Sequence, residues 1–66
     1  MEDKERLKIV LKHLIEHNEG HSEDYKRWVD LAQGAGLNDV AALIEEANGH
    51  AEKAGSALRK ALELIG

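Results

Sequence analysis

The sequence predicts an all-α fold, a long antiparallel helical hairpin that dimerises into a four-helix bundle. Three observations predict it. The 66 residues contain no proline, no phenylalanine, one Trp and one Tyr, against abundant Ala, Leu, Glu and Lys, a composition suited to helices. Apolar residues recur at steps of three and four over two long stretches. One glycine-rich stretch, Gln33-Gly34-Ala35-Gly36-Leu37-Asn38-Asp39, separates the two.

The first stretch begins with Glu2, Asp3 and Glu5, negative charge where a helix N-terminus favours it. Leu7, Val10, Leu11 and Leu14 follow at helical spacing. The same period continues through His17 or Asn18, His21, Tyr25, Trp28 and Leu31 or Ala32 without changing phase at Gly20. One helix over 3–33 is therefore expected, about 45 Å long at 1.5 Å per residue. The alternative is a three-helix bundle broken near Gly20, since Gly costs about 1 kcal/mol in a helix and Ser22 could cap a new one.

The glycine-rich stretch reads as a turn over 34–38. Gly34 can supply the left-handed residue that closes one helix, Asn38 or Asp39 can cap the next, and Leu37 can act as a hydrophobic staple. A phosphate-binding loop is not favoured, because no strand precedes Gly34, and a third glycine and a lysine are missing. A second helix is expected over 39–65, lined by Val40, Leu43, Ile44, Ala47, Ala51, Ala54, Leu58, Ala61, Leu62 and Ile65. Its alanines let a neighbour approach closely. Asn48-Gly49 offers a further point at which this helix could break.

Two amphipathic helices cannot enclose a core by themselves, and a 66-residue domain is marginal without a staple, a metal or a partner. Cysteine is absent, which excludes disulfides and thiolate ligands. A homodimer about a two-fold axis is the expected remedy. The net charge of −4 argues against nucleic acid, which calls for a basic stripe. No apolar run approaches a membrane span and residues 1–5 do not resemble a signal peptide, so a soluble, cytoplasmic protein is expected.

Chemistry concentrates in four histidines. His13, His17 and His21 stand four residues apart, a spacing that stacks imidazoles along one helical stripe. In a hairpin centred between Ala35 and Gly36, residues at one height have numbers summing to about 71, which puts His21 opposite His50. His17, His21 and His50 are the expected metal ligands, with His13 or Glu46, one turn before His50, completing the site. Neutral imidazole suits a transition metal, zinc or nickel first, with copper or iron as further options. Glu16 and Asp24 could orient the rings, and Tyr25 could reach a ring or a metal-bound water.

The competing reading leaves these histidines metal-free at a dimer seam. Their protonation near pH 6.5 would then make assembly responsive to pH. An enzyme is not expected. Metal-assisted hydrolysis would need an open coordination position, and no nucleophile is paired with a base in a recognisable motif.

The segment His17-Asn18-Glu19-Gly20-His21, preceded by His13 and followed by Tyr25 and Trp28, resembles one found in small uncharacterised prokaryotic helical proteins. Their pattern is H-x3-H-N-E-x-H followed by an aromatic and a Trp. The resemblance covers about a third of the chain and implies that these histidines belong to a recurring arrangement, without implying an activity.

Overall fold

The computed structural model describes residues 2–66 as two helices, α1 (Asp3–Gly34) and α2 (Asn38–Ile65), folded into an antiparallel hairpin. Met1, part of the expected domain, lies outside the described residues. Helix α1 runs through Gly20 and α2 through Asn48-Gly49 without interruption, so neither break is present. The apolar period on both sides of each glycine keeps its phase, and packing along the whole seam offsets the weak local propensity.

The turn differs from the expected one in detail. Gly36, not Gly34, takes the left-handed conformation, at φ 77°. Ala35 N–H still donates to Leu31 O at 3.1 Å, so Gly34 remains within the helix and Ala35 caps it. Leu37 N–H then donates to Ala32 O at 2.8 Å and Gly36 N–H to Gln33 O at 3.0 Å, the paired bonds of a Schellman motif with Gly36 as its left-handed residue. The next helix is capped by Leu37 rather than by Asn38 or Asp39. The Leu37 carbonyl accepts from Ala41 N–H at 3.0 Å, and no side chain caps this end.

Small residues set the seam between the helices. Val29, Ala32 and Ala41 are buried next to the turn, with Ile44 packed against them. Farther along, Asn18 Nδ2 donates to the Ala51 carbonyl at 2.7 Å across the hairpin. A Cβ on the buried Gly55 would lie 2.8 Å from that same Nδ2. Asn18 therefore sits between Ala51 and Gly55, in the register that centring the turn at Ala35 and Gly36 implies. A polar group placed among apolar layers is a known way to fix helix register.

Two stability effects follow from these glycines. Nothing lies within 4 Å of a Cβ added to Gly49, so Gly49→Ala should stabilise the helix by about 0.5–1 kcal/mol in a urea melt. Gly55→Ala should gain nothing comparable in the native chain, because the new methyl displaces the Asn18 amide from Ala51. In an Asn18→Ala background the same change should be stabilising. The resulting coupling should be on the order of 1 kcal/mol in a double-mutant cycle, and additive values would contradict the contact.

The hairpin is long and thin, 51 × 15 × 12 Å, with a radius of gyration of 15.4 Å. A compact domain of this length would have about 11 Å. Its large apolar residues are correspondingly unburied: Leu7, Val10, Leu14, Trp28 and Leu31 on α1, and Val40, Leu43 and Leu64 on α2, are each 44% to 90% exposed. Steps of three and four join Leu7, Val10 and Leu14 to Trp28 and Leu31 through His17 and His21 on α1, and Val40 and Leu43 to Leu64 through Ala47, His50, Ala54, Ala57 and Ala61 on α2. Each helix thus presents a second stripe, apolar at its ends, beside the one that faces its neighbour.

Candidate metal centre

His17 and His21 lie in the middle of the exposed stripe of α1. One turn of helix separates their backbones, and their side chains converge: Nε2 of one ring is 2.9 Å from Nε2 of the other. The ring centroids are 4.3 Å apart and the planes are at 88°. At this distance one ring's N–H donates to the lone pair of the other, so two imidazole nitrogens already point at one locus.

The pair has neighbours on its own helix. Asp24 Oδ2 is 3.9 Å from His21 Nδ1, the nitrogen facing away from His17, and Asp24 is itself paired with Arg27. A carboxylate on that side favours a proton on Nδ1 and leaves Nε2 free for a ligand. The tilted Tyr25 ring lies 6.5 Å from His21 and edge-on to Trp28 at 6.0 Å. Four rings thus descend one face of α1.

The other expected ligands are placed less closely. His50 is exposed on α2, and no ring or hydrogen-bond contact joins it to His17 or His21. His13 is exposed one turn before His17 and borders a separate shallow groove with Ile9, Lys12 and Glu16. Glu46 is exposed on α2, one turn before His50. Among the described residues, no group of three or more His, Asp or Glu side chains is placed to hold a metal. One hairpin supplies a histidine pair.

A second concavity lies between the helices around the Asn18 link. It is an open groove of about 180 Å³ lined by Asn18, Ser22, Asn48, Gly55 and the Glu19–Arg59 ion pair, whose atoms are 3.5 Å apart. The buried Asn48 Oδ1 beside it has no hydrogen-bond partner. The sequence reading missed this polar layer. Its one signal was Asn18 falling level with Ala51 and Gly55 once the hairpin register was fixed.

Residues 7–65, most of the chain, match a family model described as a domain of unknown function, DUF8180. The chain belongs to the DUF8180 family. The match spans both helices and the turn, so every residue of the histidine stripe lies inside the family domain. No curated protein and no solved structure gives a significant match. No helix among the described residues is long and apolar enough to cross a membrane.

Proposed function

We propose that this protein is a small transition-metal-binding helical protein whose metal is gripped by His17 and His21. The observation that carries this reading is the 2.9 Å approach of the two Nε2 atoms. Two nitrogens bound tetrahedrally to one metal at about 2.0–2.1 Å are roughly 3.3 Å apart. Opening the pair by a few tenths of an ångström, through small side-chain rotations, would exchange a shared proton for a metal ion. His50, exposed on α2 without contact to the pair, is the alternative third ligand that a site built within one hairpin would use. Imidazole ligands suit zinc or nickel, with copper and iron in the same class.

The test is elemental mass spectrometry of the purified, untagged protein, with uptake of zinc and nickel followed by titration. Stoichiometric metal that is lost in His17→Ala supports the reading. Protein that takes up neither metal overturns it.

A second reading is favoured by the setting of the pair within exposed leucine, valine and tryptophan. There the histidines act without metal in a pH-responsive dimer seam, since protonated rings repel each other when buried. Assembly lost in acid but indifferent to chelator would select this reading.

A further inference from the structure

The exposed apolar stripe is self-complementary about the histidine pair. On α1 it runs from Leu7 to Leu31, and its midpoint is the level of Glu19, halfway between His17 and His21. On α2 it runs from Val40 to Leu64, and its midpoint is the level of Glu52. The contacts of Asn18 with Ala51 and Gly55 put those two levels at the same height. The entire face therefore has one centre. A second copy laid on it antiparallel, with a two-fold axis through that centre, sets Leu7 against the copy's Leu31 and Val10 against its Trp28. It also sets His17 against the copy's His21 and Leu14 against its Asp24, so the apolar pairs lie at the two ends and the polar ones at the centre.

The surface area points to the same occupant. The hairpin exposes 5085 Å², whereas a compact monomer of 7.3 kDa exposes about 4,200 Å². The excess of roughly 900 Å² matches one partner's share, about 800 Å², of a standard stable interface. Seating a copy of the same chain would remove that excess and place like stripes together.

Resting on the metal reading above, we propose that the site is completed across a two-fold axis: His17 and His21 from each of two chains form one four-imidazole centre per dimer. One hairpin offers two converging nitrogens, and among the described residues no group of three or more His, Asp or Glu side chains is placed to hold a metal, while a closed tetrahedral site needs four ligands. The symmetric copy supplies the missing two at the point where the first two converge. Gly20, one residue from the axis and with nothing within 4 Å of an added Cβ, leaves room there for the second helix.

The full chain, saturated with zinc, should be examined by sedimentation equilibrium together with elemental analysis. The expected result is a mass twice 7.3 kDa and one zinc per two chains, unchanged in His50→Ala. One zinc per chain, lost in His50→Ala, would place all ligands in one hairpin and overturn the shared centre while leaving metal binding intact. A zinc-loaded monomer would have the same consequence. A dimer that binds no zinc would overturn the metal reading along with the centre. Circular dichroism of His50→Ala confirms that its helices are intact before its stoichiometry is compared.

Discussion

Trp28→Glu is expected to abolish dimerisation at micromolar concentrations, lowering the sedimenting mass to that of one 7.3 kDa chain. Trp28 is 48% exposed in the hairpin and stacks edge-on against Tyr25, so its removal takes little from the intrachain seam. In the dimer it would be an aromatic anchor. Residues of that kind contribute about 2 kcal/mol or more to an interface, roughly thirty-fold in dissociation constant. A buried carboxylate without a partner adds to the loss. Circular dichroism separates dissociation from unfolding. Val29→Ala, which shrinks a buried seam residue, should instead lower the thermal midpoint through the cavity it leaves. Unchanged dimer affinity in Trp28→Glu would mean that the exposed stripe is not the seam between copies.

His21→Ala is expected to lower zinc affinity by at least about a hundred-fold. Partners that only orient a metal ligand are worth 10–100-fold, and a lost ligand costs more. On a two-fold centre the substitution removes two of four imidazoles at once. His21 is half-exposed and its ring meets His17, Asp24 and Tyr25 of its own helix, so the hairpin itself should survive. His13→Ala is the matched control, and its zinc affinity should equal that of the native chain. Asp24→Asn should have an intermediate effect, because it removes the carboxylate facing His21 Nδ1 without touching Nε2. Isothermal titration of the three variants ranks them, and equal losses in His13→Ala and His21→Ala would contradict the assignment.

The helical hairpin was legible because its determinants are local: a three-four period, the absence of proline, and a single glycine-rich turn. Which face would meet which was harder to read. The period allowed either His17 or Asn18, and either Leu31 or Ala32, to point at the neighbour. The structure turns Asn18 and Ala32 inward and leaves His17 and Leu31 outside. Two helices in close contact accommodate small residues, so Ala32, Ala41 and Gly55 take the seam while the large residues are left for another surface. A helical wheel contains both stripes and does not rank them.

The histidine site was legible in the same measure. A spacing of four brings two rings on one helix together, and His17 and His21 meet. The partnership of His21 with His50 rested on height along the hairpin, which says nothing about the angle around each helix. Being level is not being in contact, and His50 stays on its own helix. The choice between Gly34 and Gly36 at the turn was likewise open, since either could adopt a positive φ. The Leu37 to Ala32 hydrogen bond decides it for Gly36.

The most direct test of the central claim is a zinc titration monitored by the imidazole ¹⁵N resonances of the native chain. The Nε2 signals of His17 and His21 should shift together, as those of metal-bound nitrogens do, and saturate at one zinc per two chains, with His13 unmoved. Zinc that leaves both signals in place, or that moves His13 instead, would contradict the claim.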